Sequence, residues 1–480
     1  MDPIELASRL GRWSAGRGPL YLLLAGRLRA LIDDGELPPG TALPTDRALA
    51  AGLSAGRTTV VAAYDLLRQE GRLVRRQGSG TWVAGANAGP PVATEPTVNP
   101  VFLHLLDPPD HVAQFACAGP TGAPAAVITA YQRALGLLGG PDLGYHPAGH
   151  PRLRAALAAR YTARGVPTST AQILITTGGQ QGLALLARAL VAPGAEVLVQ
   201  APTYPGALEI FRESAAALLP IKTGIATYGE ELARHHPAMA YLIASCHNPT
   251  GRTMPPAERQ EIVTAALHAR VPLVVDEVLA DLTFPDRSAA PPAPIAALAP
   301  DADELITVGS LSKLVWGGLR IGWVRAQPAL IGRLARLKAV IDLGSGVLDQ
   351  LAAAELVADL DPLIAERSRV LAARHDHLCA ELRKQLPEWR FEAAGGGQTL
   401  WVRLPYGDAA SYAQAALRQG IAVLPGGSLD PSGGSTDHLR IPFVADSAAL
   451  TAGVRAMAAA WHGFTGRAAG SPPPLPAIAV

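Results

Sequence analysis

Lys313 stands in the string Ser310-Leu311-Ser312-Lys313, directly after the apolar run ELITVGS at 304–310. An amine at the end of a buried strand is placed to condense with an aldehyde. The chain has four lysines, Lys222, Lys313, Lys338 and Lys384, so one in such a pattern stands out. Asp276 closes a second apolar run, VPLVVDE. A carboxylate there is costly to bury without a partner, and a protonated ring nitrogen would be a suitable one. The segment ITTGGQQGLALLARAL passes from an apolar strand through a glycine turn into a long helix. Backbone N–H groups at Gly179 and Gln180, aided by the helix dipole, make an anion site. Ser310, Ser312 and Arg320 can add hydroxyl and guanidinium donors. Tyr204, in APTYPGAL, offers a flat ring, and Asn248, in HNPTG, an amide for a ring oxygen. Singly, each has an ordinary reading: a strand-end Asp facing water, a surface tyrosine, an Asn-Pro turn.

Jointly they meet the needs of pyridoxal phosphate, which requires a lysine for its aldehyde, a carboxylate for its pyridinium nitrogen, donors for its phosphate and a plane for its ring. The elements that must hold them are short apolar runs at 173–177, 196–200, 239–244, 271–277, 304–310 and 321–325, separated by helical stretches. That alternation predicts an α/β fold with a largely parallel sheet. Residues 350–462 read as a smaller helix-and-strand part.

A different chemistry precedes this body. LYLLLAGRLRALID at 20–33 has helical spacing, and the Gly-Pro turn in GELPPGTALPTDRALA ends it. Thr45 or Asp46 can cap the next helix. RTTVVAAYDLL then opens a further helix on Arg57, Thr58 and Thr59, residue types suited to base edges and phosphates in a major groove. LVRRQGSGTWVAG places Arg75, Arg76, Gln77 and Ser79 on a glycine-turned basic hairpin. Residues 1–85 carry eleven arginines against eight acids, an excess of three, while the whole chain has a net charge of +1. The asymmetry agrees with a nucleic-acid-binding head and does not establish one.

The 480 residues, 49% hydrophobic and 17% charged, suit a multidomain globular protein and exclude a disordered one. Three cysteines, Cys117, Cys246 and Cys379, have no CxxC spacing, which argues against a disulfide framework and a thiolate zinc site, and no metal is expected. No apolar run of about 18 residues appears, so no membrane contact is expected and the location should be cytoplasmic, at the nucleoid when DNA is bound.

Residues 20–83 resemble the winged helix-turn-helix of the GntR family along their whole length. By that resemblance Arg47, Arg57, Thr58 and Thr59 face DNA, and Arg75, Arg76, Gln77 and Ser79 lie near phosphates. Gly56 departs from the family, which has a Ser or Thr there. The ordered series Tyr145, Gly179-Gln180, Tyr204, Asn248, Asp276, Lys313, Arg320 and Arg440 resembles fold-type I aminotransferases. In that family the tyrosine of YHPAGHPRLRAALAARY, here Tyr145, reaches the partner subunit's cofactor phosphate. The arginine of HLRIPF, here Arg440, binds the substrate carboxylate, with bidentate pairing as the physical reason. Val278 and Leu279 stand where the family has a tyrosine that bonds the ring oxygen, which implies altered cofactor electronics.

The fusion resembles the MocR subfamily of GntR regulators. It implies an α+β head at 1–83, a linker at 84–109, an aminotransferase-like body at 110–462 (large part 110–349, small part 350–462) and a flexible tail at 463–480. It also implies a head-to-tail homodimer with each head over the partner's body. The function implied is that of a transcription regulator binding double-stranded promoter DNA. It would respond to pyridoxal phosphate or to an amino compound, and could control vitamin B6 or amino-acid metabolism genes. The alternatives are a working aminotransferase that also binds DNA and a dimerisation platform with an unused site.

Overall fold

The computed structural model describes residues 1–15, 19–76, 80–84, 112–120, 122–139, 141–222, 228–285 and 293–465. Gln77, Ser79 and nearly all of the expected linker lie outside them, as does the tail beyond Thr465.

The head opens with a helix the sequence reading did not anticipate, α1 (Pro3–Leu10), capped by the Asp2 carboxylate, which accepts the Ile4 N–H at 2.8 Å. Helix α2 (Leu20–Asp33) buries Leu24, Leu28 and Leu31, the apolar stripe that its spacing predicts. After β1 (Ala42–Leu43) comes α3 (Asp46–Gly52), whose cap is Thr45, accepting the Ala48 N–H at 3.2 Å. Helix α4 (Arg57–Gln69) starts at Gly56 without a side-chain cap. Strands β2 (Leu73–Arg76) and β3 (Gly80–Val83) complete an antiparallel sheet of order β1-β3-β2. Leu6, Leu28, Leu49, Val60 and Leu67 meet in one core that fixes α4 against α2 and α3.

The body continues through β4 (Ala113–Phe115), α5 (Ala125–Leu135), α6 (Pro151–Ala163), β5 (Ile173–Thr176), α7 (Gly179–Leu190), β6 (Glu196–Ala201), α8 (Pro205–Glu213), β7 (Ala217–Lys222), α9 (Tyr228–His235), β8 (Met239–Leu242), α10 (Pro256–Ala269), β9 (Leu273–Asp276), β10 (Leu305–Ser310), α11 (Leu311–Leu314), β11 (Gly322–Arg325) and α12 (Pro328–Asp342). Seven strands form one sheet of order β5-β11-β10-β9-β8-β6-β7. It is parallel except for β11, which runs antiparallel to β5 and β10. Strands β5, β8, β9, β10 and β11 are buried along their length because helices cover both faces. Only the strand at 217–222 was absent from the sequence reading of this sheet; it lies at the sheet edge, is buried only at Ile221, and carries Pro220, a residue that demotes a run as a strand signal.

The small part holds α13 (Val347–Ala358), α14 (Leu360–Gln385), β12 (Arg390–Phe391), β13 (Thr399–Arg403), α15 (Ala409–Arg418), β14 (Ile421–Pro425), β15 (His438–Pro442) and α16 (Ser447–Thr465). Its sheet has the order β12-β13-β15-β14-β4. Two expected boundaries therefore move. Strand β4 leaves the large part: it pairs in parallel with β14, and Phe115 fills the space over Gly453 that a side chain there would need. The final helix runs through 463–465, three residues into the expected tail.

The head rests on this small part of its own chain. Ala15, Val112, Leu417, Leu424 and Leu429 form an apolar cluster across the junction. Arg418, at the end of α15, donates to the carbonyls of Leu53 (2.9 Å) and Ser54 (2.6 Å), in the turn between α3 and α4. Gln414 donates to Gly11 O at 3.0 Å, and the Ser54 hydroxyl to Ser411 O at 3.2 Å.

Candidate functional site

The carboxyl ends of β5, β8, β9 and β10 and the facing β15 enclose a cavity of about 500 Å³, the size of a cofactor site. Register explains why two of its charged residues, Asp276 and Lys313, are neighbours. Val308 of β10 pairs with Asp276 of β9, so the end of β9 and the start of α11, which carries Lys313, lie side by side. Lys313 Nζ donates to Ala118 O, and Gln398 Nε2 donates to Lys313 O at 3.2 Å. Asp276 Oδ1 accepts the Val278 N–H at 2.9 Å and Oδ2 accepts the Tyr241 hydroxyl at 2.9 Å.

Glycine shapes the end of the cavity at the start of α7. Gly178, with φ +102°, turns β5 into α7, and Arg320 reaches it from the other side to donate to Thr177 O. Gly322 must lack a side chain, because a Cβ would lie 2.5 Å from the Gly178 carbonyl carbon. Ser310 and Ser312 bond each other at 3.0 Å on the same wall. Tyr204 closes another wall, donating to Gln180 Oε1 at 3.1 Å, while Gln180 Nε2 donates to Gly206 O at 3.0 Å. Arg440 enters from the small part, with Nη1 on Asn248 Oδ1 at 3.3 Å and Nη2 on Ala116 O. Its buried Nε has no hydrogen-bond partner among the described residues.

Burial sets the electrostatics. It pushes the Lys313 amine below its ordinary value, with the nearby Cys117 opposing, so the neutral nucleophilic form gains. Burial raises the Asp276 carboxyl, and the Val278 N–H and Tyr241 hydroxyl partly reverse that. Burial lowers the Arg440 guanidinium to about 10, opposed by Cys117 and Tyr204. A buried acid, a buried amine and a guanidinium with an orphaned donor fit a ligand that has a ring nitrogen, an aldehyde and, when an amino acid joins it, a carboxylate.

The profile of "Aminotransferase class I and II" matches residues 117–456. The chain belongs to that family. The profile "Bacterial regulatory proteins, gntR family" matches residues 20–83. Among similar proteins, the HTH-type transcriptional regulator YisV of Bacillus subtilis is 29% identical over 94% of this chain and 98% of its own. The probable rhizopine catabolism regulatory protein MocR of Rhizobium meliloti is 29% identical over 77% of this chain and 78% of its own. The α-aminoadipate aminotransferase LysN of Thermus thermophilus, solved with N-(5'-phosphopyridoxyl)-L-leucine, superposes with a TM-score of 0.69 at 28% identity, over 76% of this chain and 95% of its own. The chain is thus a GntR-type winged helix fused to a class I and II aminotransferase body, the architecture of the MocR-type regulators, and pyridoxal phosphate is the cofactor of this fold.

Within this class I and II aminotransferase body, the structure gathers Gly179, Gln180, Tyr204, Asn248, Asp276, Ser310, Ser312, Lys313, Arg320 and Arg440 around one cavity. Tyr145 is not among them; it is 66% exposed on the loop before α6. Cys117, Glu209 and Gln398, which line the cavity, were not read from the sequence, nor was Tyr241 beneath Asp276. Tyr241 sits inside the apolar run MAYLIA, where a tyrosine passes for core. Its hydroxyl holds the acid that would face the ring nitrogen, and a hydrogen bond to a charged group is worth roughly 1.5–3 kcal/mol. Tyr241→Phe is expected to weaken cofactor affinity about tenfold, measured by fluorescence titration; unchanged affinity would remove Tyr241 from that role.

On the head, Arg47, Arg57, Thr58 and Arg75 are exposed and Thr59 is half-buried. Arg57 also pairs with Asp46 at 2.7 Å, which steadies the start of α4 where Gly56 gives no cap.

Proposed function

We propose that the chain is a transcription regulator whose body binds pyridoxal phosphate and transmits its occupancy to the helix-turn-helix. The observation that carries this reading is a short covalent and hydrogen-bonded route between the two sites. Arg440 of β15 pairs with Leu424 of β14. Strand β14 follows α15 after a two-residue turn, and α15 ends on Arg418, which holds the turn before α4. A ligand that draws Arg440 inward moves a strand attached to the helix that grips the head. Regulation then needs only that the ligand favour one of the two positions.

Pyridoxal phosphate, when bound, supplies a reactive aldehyde and an electron-withdrawing ring. The chain's own groups bind and orient it. Lys313 offers a neutral amine, Asp276 keeps a ring nitrogen protonated, and the start of α7 with Ser310, Ser312 and Arg320 takes the phosphate. Arg440 and Asn248 offer a carboxylate site to an amino-compound effector. Working transamination is the second reading, favoured by the retained Lys313, Asp276 and Arg440. Against it, Val278 and Leu279 bring only aliphatic side chains to the place of the family's ring-oxygen donor.

A homodimer belongs to this proposal. Leu143, Tyr145, Ile128, Leu135, Val340 and Leu343 are all at least 52% exposed. The stretches holding Tyr145 and Leu343 meet where Gly344 packs on the His146 backbone, a patch of the kind that marks an interface. The full chain is expected to sediment as a dimer and to bind its promoter fragment with a steep salt dependence. Arg47→Ala should reduce the slope of log affinity against log salt by about one. A salt-independent affinity, or none, would contradict the DNA reading, and a monomer at micromolar concentration the dimer.

A further inference from the structure

Outside the cofactor cavity, the loop that leads into α6 gathers Asp142, His146 and His150, with one ligand-type atom from each within 4.8 Å of the others. Asp142 Oδ2 lies 2.8 Å from His146 Nε2 and 3.9 Å from His150 Nε2. The two imidazoles meet edge to face with centroids 4.9 Å apart. We propose that these three side chains form a binding site for a divalent transition-metal ion, of the zinc, cobalt or nickel kind.

The donor set argues for that class. Two imidazoles and one carboxylate suit borderline ions and provide too few oxygens for calcium or magnesium. At metal–ligand distances of about 2.0–2.2 Å, tetrahedral ligand atoms lie roughly 3.3 Å apart. The observed 2.8 and 3.9 Å bracket that spacing, and the three ligand atoms all lie within 4.8 Å of one another, so binding draws them together around the ion.

The surroundings already orient the ligands, as outer contacts do in metal sites. Asp142 Oδ1 accepts the Gly144 N–H at 2.9 Å, which turns Oδ2 toward both rings. His146 is fixed through its backbone, since Gly149 N–H bonds its carbonyl at 2.9 Å and Gly344 packs against it. His150 is anchored by its own N–H on Gln350 Oε1 at 2.6 Å. One contact stands against the ion. His150 Nδ1 accepts the Arg152 N–H at 3.3 Å, which leaves the ring proton on Nε2. A neutral ring bound through Nε2 must carry its proton on Nδ1 instead, so this long cap is given up on binding. Tyr145 lies between the first and second ligands, and the ion would brace the backbone on both sides of it.

The test uses tag-free full-length protein and Zn²⁺ and Co²⁺ as probes. Equilibrium dialysis should give one Zn²⁺ per chain, Co²⁺ should develop a visible ligand-field spectrum, and Zn²⁺ should raise the unfolding temperature. His146→Ala and Asp142→Ala should each weaken binding by at least about tenfold while leaving cofactor absorbance unchanged. Absence of binding by the wild type at tenfold excess Zn²⁺, or undiminished binding by both variants, overturns the proposal. Anomalous scattering at the zinc edge from wild-type crystals needs no variant: a peak between the three side chains supports the site, and a peak elsewhere or none removes it.

Discussion

Lys313→Ala is expected to abolish covalent attachment of pyridoxal phosphate. After borohydride reduction the wild-type chain should gain the mass of one cofactor, and the variant none. The physical basis is the position of the amine: it lines the same cavity as Asp276 and the anion end, and burial holds it toward its neutral, nucleophilic form. Retention of the cofactor should fall at least about a hundredfold, on the order of 3 kcal/mol. The remaining phosphate and ring contacts still permit weak binding, so the variant separates occupancy from covalent attachment. A variant that carries one reducible cofactor per chain would contradict the assignment of Lys313.

Arg418→Ala carries the second large effect. The guanidinium makes two hydrogen bonds to the turn that precedes α4, and it is half-buried where it makes them. Allosteric coupling between sites commonly amounts to about 5–150-fold in affinity. If the route through β15, β14 and α15 carries it, removing the guanidinium should cut the cofactor-dependent change in DNA affinity to less than about twofold. Affinity without cofactor should change little, because Arg418 lies on the body and bonds the backbone carbonyls of Leu53 and Ser54, leaving Arg47, Arg57 and Thr58 exposed. Arg418→Lys should restore the response only in part, since one ammonium cannot reproduce the two-pronged grip. Fluorescence anisotropy with a labelled promoter fragment reads all of these. A full response in the alanine variant would place the coupling elsewhere.

Much of the cofactor cavity was legible in the sequence because its residues close apolar runs. Lys313, Asp276 and Asn248 each follow or end a strand that declares itself by buried Val, Ile and Leu, and the glycines before α7 announce the anion end. Tyr241 was not legible, since a tyrosine in an apolar strand reads as core until its hydroxyl is seen on Asp276. Cys117 and Gln398 come from irregular segments and Glu209 from the polar side of the amphipathic helix α8, and only the folded chain brings them to the wall. The large sheet was readable except at its edge, where Pro220 interrupts the strand at 217–222 and weakens its signal. The division of the body failed at β4 because pairing across some 300 residues, Ala113 with Ile421, leaves no local signal. The contact of Arg418 with the head has the same origin. Asp142, His146 and His150 were legible as residue types. Their spacing of four, spread over a loop and a helix cap, does not announce a shared ligand.

Helix α1 was missed for a simpler reason: eight residues with a Pro at the first turn are short for periodicity, and its evidence lies in Asp2 and in the burial of Leu6 and Leu10. Among the described residues no helix is long and apolar enough to cross a membrane, which agrees with the absence of long apolar runs.

If cofactor occupancy in the body changes what the head does on DNA, the most direct measurement is the affinity of the full-length wild type for its promoter fragment. It is taken at fixed salt, with and without saturating pyridoxal phosphate. The expected result is a change of at least about fivefold, the lower end of ordinary allosteric coupling, that disappears in Lys313→Ala. Equal affinities in the two conditions, with the cofactor shown to be bound, would contradict the regulatory reading.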